Sequence, residues 1–204
     1  YTNKHAFDGF RETSKYYQGK MDLWYGFACS CIDMLADHGI LSFIATNNWT
    51  TNSGASILRN KLITYTIIKQ LIDFGTYMIF EDSASIQTMV MLFQKDNFSD
   101  DYIFDNRKLT KNDAKKEDAI AMLNKSQLNA IYLSPIINRA YRNSGLLTFA
   151  NDKTDKLLKK IITDSVTLSN NDLAQGIVFP QDFLNSKGHK KLPQFPVGTG
   201  VFGL

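Results

Sequence analysis

Scarcity marks this chain before any motif does. Its 204 residues include only four prolines, two cysteines and three histidines. No apolar run approaches the roughly 20 residues a membrane helix needs, and no signal-like segment opens the chain. Cys29 and Cys31 stand two positions apart. On a helix that spacing turns them about 200° from each other, so they do not easily pair. They read as small buried or half-buried thiols of a reducing cytoplasm. His5, His38 and His189 have no partners at metal-ligand spacing, and no Ser/His/Asp arrangement is legible. All three read as structural or surface residues; His38 precedes Gly39 at an expected helix end, where a cation favours the dipole. Gly9, Gly19 and Gly26 compose no phosphate-cradling loop. Asp33, Asp37 and Asp73 read as ordinary helix or strand-end acids. Strong charge is also lacking. The net charge is +3, with eight Lys/Arg against eight Asp/Glu in residues 1–95 and fifteen against twelve in 96–204. That mild bias suits a phosphate-facing C-terminal part, and suits a plain solvated surface equally well.

What the chain does hold is core material. At 44% hydrophobic and 12% aromatic, it can bury a core sized for one large domain or a domain and a half. Residues 1–21 are polar, with aromatics at no clear period, and read as a loop or short helix. Asp22 is placed to cap a helix that runs to about Gly39, with Leu23, Phe27, Ile32, Met34 and Leu35 on its buried side. Residues 40–45 are an apolar run of strand length, and Asn47 and Asn48 follow as loop residues. Ser53 is placed to cap a second helix, with Ile57, Leu58, Leu62 and Ile63 on one face. Residues 67–74 form a second strand, stopped by Gly75, and 87–94 a third. Helices alternating with buried strands signal an α/β layer.

After Lys95 the sequence turns polar. Residues 96–118 read as a connector with a strand at 102–104, and 113–124 as a helix. Pro135 breaks the next segment. Residues 153–163 form a basic amphipathic helix, with Leu157, Leu158, Ile161 and Ile162 inward and Lys153, Lys156, Lys159 and Lys160 outward. From Leu168 onward the chain is Gly- and Pro-rich. No internal repeat is present.

Three stretches occur in a telling order. The first is Leu23-Trp24-Tyr25-Gly26-Phe27. The second is Phe43-Ile44-Ala45-Thr46-Asn47-Asn48-Trp49. The third is Ile79-Phe80, a polar loop through Gln87, and a strand ending Phe93-Gln94-Lys95. Together they resemble the second half of adenine-N6 DNA methyltransferases of the restriction-modification type, the TaqI and Eco57I groups. The match covers residues 17–95 well and 96–204 weakly. It departs at Thr46, where the family commonly has proline.

The resemblance implies a fold and a division of the chain. Residues 1–95 would be the C-terminal half of a Rossmann-like class I methyltransferase sheet, 96–150 a connector, and 151–204 the beginning of a target-recognition domain. The stretches 175–178 and 197–202 look like that domain's opening. The sheet should show an unpaired edge where the missing N-terminal half of the catalytic domain belongs.

It also implies roles. Phe27 corresponds to the phenylalanine that packs on the adenine of S-adenosylmethionine. Phe80 corresponds to the one that stacks on the target adenine after it is flipped from the duplex, replacing stacking energy the base has lost. Without the resemblance both would be read as core phenylalanines, Phe27 more firmly so because Phe80 adjoins Glu81, Asp82 and Ser83. The implied cofactor is S-adenosylmethionine, the implied partner double-stranded DNA, and the implied location the prokaryotic cytoplasm, with no membrane. The family's Gly-containing cofactor loop and its Asn-Pro-Pro-Tyr motif are absent: Pro135, Pro180, Pro193 and Pro196 are the only prolines, and none follows that pattern. Residues 1–204 alone should therefore transfer no methyl group. A non-catalytic DNA-binding or specificity module derived from such an enzyme is the rival reading.

Overall fold

The computed structural model describes residues 7–80, 86–96, 101–137, 147–163 and 165–166. His5, His189, the loop at 81–85, and the Gly- and Pro-rich stretches read as a target-recognition domain lie outside them. Residues 1–159 form one compact unit. Residues 160–204 form a second, of which only the end of a helix and two residues beyond it are described.

The first unit is a mixed α/β layer. Its elements in order are α1 (Phe10–Thr13), α2 (Leu23–Met34), β1 (Ile40–Thr46), α3 (Ser56–Tyr65), β2 (Thr66–Asp73), β3 (Thr88–Lys95), β4 (Tyr102–Ile103), β5 (Asp105–Leu109), α4 (Lys116–Leu123), β6 (Ala130–Leu133) and β7 (Ile136–Ile137). Five strands make one sheet in the order β1-β3-β2-β5-β6, and β4 pairs with β7 apart from it. β3 runs antiparallel between β1 and β2, and β2 pairs parallel with β5. β6 closes the far side antiparallel to β5. The stretch read as a connector thus contributes two strands to the sheet. β5 escaped the sequence reading because Asp105-Asn106-Arg107-Lys108-Leu109 carries almost no apolar pattern. Its polar side chains are satisfied locally: Arg107 and Gln70 both donate to Asp105, Gln70 at 2.9 Å.

Each face of the sheet has its own core. On one, α2 and α3 cover Ile68 and Leu71 of β2 and Met89, Met91 and Phe93 of β3, with Trp49 fully buried edge-on to Phe93. On the other, α4 sets Ala119 and Met122 against Ile72, Phe74 and Leu109. Period-2 alternation sends neighbouring β3 residues to opposite faces.

The inward side of α2 corrects the sequence reading. Its buried residues are Tyr25, Gly26, Ala28, Cys29 and Ile32, whereas Phe27 is 60% and Met34 76% exposed. Tyr25, Ala28, Cys29 and Ile32 follow the helical i, i+3, i+4, i+7 stripe. Small residues occupy the face of closest approach, so the larger apolar side chains were misread as the core. The helix also stops at Met34. Asp22 makes no side-chain cap; its carboxylate accepts from Asn48 instead. His38 lies past the helix end, in a left-handed turn at φ 61°, with Nδ1 3.3 Å from Asp96. Before α3, the capping side chain is Asn52 rather than Ser53, accepting from the Gly54 amide at 2.9 Å. Gly54 is obligatory by proximity: a Cβ there would sit 2.1 Å from the Lys20 carbonyl oxygen.

The last described helix, α5 (Asp152–Thr163), also departs from expectation. Leu157, Ile161 and Ile162 are more than half exposed, and the buried residue is Asp155. Asp155 pairs with Lys159 at 3.0 Å, one helical turn on. No described helix is long and apolar enough to cross a membrane.

The N-terminal segment is tied to α2 and α3 by one polar knot. Tyr16 donates its hydroxyl to Asp33, and the Lys61 ammonium donates to Asp33 and, at 2.9 Å, to the Tyr16 oxygen. The Lys61 and Tyr16 hydrogen bonds hold the Asp33 carboxyl down at about 2. A carboxyl depressed on folding contributes stability that is complete above its unfolded value and is lost as pH falls through the folded one. The contribution of Asp33 should therefore vanish between about pH 4 and pH 2. Thermal melts of Asp33→Asn and native protein across that window should converge at the acid end and diverge above it. A constant difference at every pH would contradict the assignment.

The thiols give a second check. Burial pushes Cys29 up to about 12, so it stays a neutral thiol at ordinary pH. Cys31 is half-buried and free. Thiolate-directed alkylation should label Cys31 first and Cys29 only on unfolding, and mass spectrometry of the labelled peptides reads the order. Equal labelling rates would refute the packing described for α2.

Candidate functional site

Because β1 and β2 both run antiparallel to β3, their carboxyl ends emerge together beside the amino end of β3. Open α/β sheets bind ligands at such an edge. Asn47 follows β1, Asp73 ends β2, and Gln87 precedes β3. The Asn47 amide nitrogen lies 3.3 and 3.2 Å from the two Asp73 carboxylate oxygens and 3.2 Å from Gln87 Oε1. Asp73 is 6% exposed, accepts from the Gly75 amide at 2.9 Å, and has Lys108 Nζ at 3.7 Å. The sequence reading passed Asp73 over as an ordinary strand-end acid. Its signal was the spacing of Asp73 and Gly75 around a strand end, an Asx-type turn.

A second polar group stands beside the first. Asn48 Oδ1 accepts from Thr46 Oγ1 at 2.6 Å and from the Tyr25 hydroxyl at 3.1 Å, and its amide donates to Asp22 at 3.2 Å. These bonds fasten the start of α2 to the carboxyl end of β1. Burial, and then the Asp22 carboxylate, raise the Tyr25 phenol well above its usual range, so it remains a donor. Arg59 braces the turn after β1 from α3, donating to the Trp49 and Asn52 carbonyls at 2.7 and 2.5 Å.

Both phenylalanines singled out in the sequence lie outside the core. Phe27 is two positions past buried Tyr25, which turns it about 200° away on the helix. Phe80 is 50% exposed. It ends a segment held down by Phe74, which is buried, and by Tyr77 and Ile79, which pack on the same core. Gly75 makes the turn possible. Its φ is +58°, and a Cβ there would meet the Leu109 carbonyl oxygen at 2.3 Å. Thr76 Oγ1 also donates to the Asn112 carbonyl at 3.1 Å. The two rings are thus presented by anchored backbone. Among the described residues no group of three or more His, Cys, Asp or Glu is arranged to hold a metal ion.

Exposure makes a stability contrast. Phe27→Ala and Phe80→Ala should each cost about 1 kcal/mol or less. Phe93→Ala, in the core, should cost about 3–5 kcal/mol. Chemical denaturation of the three variants tests this; a core-sized loss at Phe27 or Phe80 would contradict the placement.

A sequence model of the family described as Eco57I restriction-modification methylase matches residues 2–80. No curated protein matches the chain. The matched segment contains α2, β1, α3 and β2, and ends on Phe80. Over that segment the chain is similar to restriction-modification methylases.

Proposed function

We propose that the chain is the C-terminal part of a DNA methyltransferase that moves a methyl group from S-adenosylmethionine to adenine N6, within a restriction-modification system. The observation that carries this reading is the methylase match over residues 2–80, joined to two exposed aromatic rings on anchored backbone. On this reading the sheet is part of a Rossmann-like domain, and β3 is its inserted antiparallel strand. The N-terminal half of the catalytic domain is the partner of β1. Among the described residues β1 pairs on one side only, which supports that: Ile40–Thr46 carries no charge and no proline, the usual guards of an exposed edge. Ile40 and Ile44 lie exposed on one of its faces at 59% and 44%.

Phe27 is the residue we assign to the cofactor. An open phenyl face on α2 fits a stacked adenine, and it supplies one wall of a pocket. S-adenosylmethionine, when bound, provides an electrophilic methyl group. Phe80 is assigned to the target base. Extrusion from duplex DNA costs the adenine its stacking neighbours, and a half-exposed ring outside the core can replace one of them.

The test uses the complete product of the gene. It should incorporate labelled methyl groups from S-adenosylmethionine into adenine N6 of duplex DNA. Phe80→Ala should weaken transfer by the roughly 1–3 kcal/mol of one stacked base and change the fluorescence of 2-aminopurine at the target position. Phe27→Ala should raise KM for the cofactor. DNA binding without any transfer would favour the non-catalytic specificity module instead.

A further inference from the structure

We infer that Asp73 is a positioning residue: with Asn47 and Gln87 it clamps the base of the 74–80 segment and thereby sets the reach of Phe80. The inference rests on the methylase reading for what Phe80 touches, but not for the clamp itself.

Three observations carry it. First, the groups facing Asp73 are donors. They are the Asn47 amide nitrogen, the Gly75 backbone N–H and the Lys108 ammonium. Among the described residues, the Asp73 carboxylate accepts from the first two of these donors and lies beside the third. An amide of the same shape would set its own N–H₂ against one of them. Second, the same Asn47 nitrogen reaches Gln87 Oε1 at 3.2 Å, and the Asn47 backbone N–H donates to the Gln87 carbonyl at 3.3 Å. The chain leaves the sheet after Asp73 and re-enters it after Gln87, so one side chain on β1's end holds both exits. Third, the turn that begins there has little freedom. Phe74 donates its amide to the Thr88 carbonyl at 3.0 Å, and Tyr77 donates to the Phe74 carbonyl at 3.0 Å. Gly75 lies against the Leu109 carbonyl. These bonds hold the backbone from Asp73 to Tyr77, and Ile79 packs on the core just before Phe80.

Asp73→Asn should leave the fold intact and loosen this segment. Hydrogen exchange at the amides of Gly75 and Tyr77 should quicken roughly ten- to a hundredfold. The amides of Leu71, Met91 and Phe93 should keep their native rates. Gln87→Ala, at an exposed position, should give a smaller rise in the same segment. Combining Asn47→Asp with Asp73→Asn exchanges carboxylate and amide across the same gap, and the Gln87 amide can turn to donate; protection should return. Unchanged exchange in Asp73→Asn, an equal rise across the core, or no recovery in the double variant would each overturn the clamp. In the complete enzyme, Asp73→Asn should lower kcat and add little to the loss caused by Phe80→Ala, because both act through one ring. Additive losses would overturn the link to Phe80. If the native enzyme transfers no methyl group, the methylase reading fails while the exchange measurement still decides the clamp.

Discussion

The insertion of β3 between β1 and β2 is the constraint on which the rest of this structure depends. β3 pairs with β1 over residues 88–94 and with β2 over residues 89–95, from Thr88 opposite Thr46 to Lys95 opposite Thr66. An antiparallel strand in that position forces β1 and β2 to run the same way, so their carboxyl ends lie on one rim. It also carries both cores. Met89, Met91 and Phe93 point toward α2 and α3, while Val90 packs on the other side with Ile72 and Phe74. Losing the register by one residue would exchange those faces and put methionines where α4 must pack.

The polar rim follows from the same pairing. Asn47, Asp73 and Gln87 belong to segments separated by 26 and 14 positions in the sequence. Only the sheet brings them within hydrogen-bond reach. Buried polar groups are tolerated where every member finds a partner. Asp73 meets that condition with a side-chain amide, a backbone amide and a nearby ammonium. The opposite end of the layer uses a different device. There Lys95 caps the end of α2 by donating to the Leu35 carbonyl at 2.5 Å, and Lys61, Tyr16 and Asp33 hold the N-terminal segment.

The strands of the first half were legible because their apolar runs had strand length and ended at Asn47 and Gly75. Their order was not legible in periodicity, which says nothing of which strand inserts where. β5 was not legible. Its stability comes from pairing with β2 and from an Asp105–Arg107–Gln70 network, neither of which leaves an apolar signature. α2 was legible as a helix and misread as a surface. Gly26, Ala28 and Cys29 are too small to announce a core face, yet smallness is what lets the helix lie close. α5 was misread for the opposite reason: a strong apolar stripe with Leu157, Ile161 and Ile162 was taken as proof of burial, and amphipathicity shows only that a face can be covered.

The aromatic residues show how far composition falls short of placement. Phe93, Phe104 and Phe74 are at most 6% exposed, and Phe27 and Phe80 are at least half exposed. Sequence context does not sort them: buried Phe104 adjoins Asp105 just as exposed Phe80 adjoins Glu81. What separates them is phase and tether. Phe93 has the inward phase on a central strand, while Phe27 is displaced by two residues from the inward stripe of α2. Phe80 follows Ile79, which packs inward and so uses the core contact available at the end of that segment. A side chain whose neighbour already fills the core gains little by full burial, and Phe80 stays half exposed. Where the turn before such a ring is held by a bond to a buried carboxylate, as Gly75 is to Asp73, part of the conformational entropy of that segment has already been lost on folding. On the proposed methylase reading, less of it would remain to be lost when a flat base stacked on the ring.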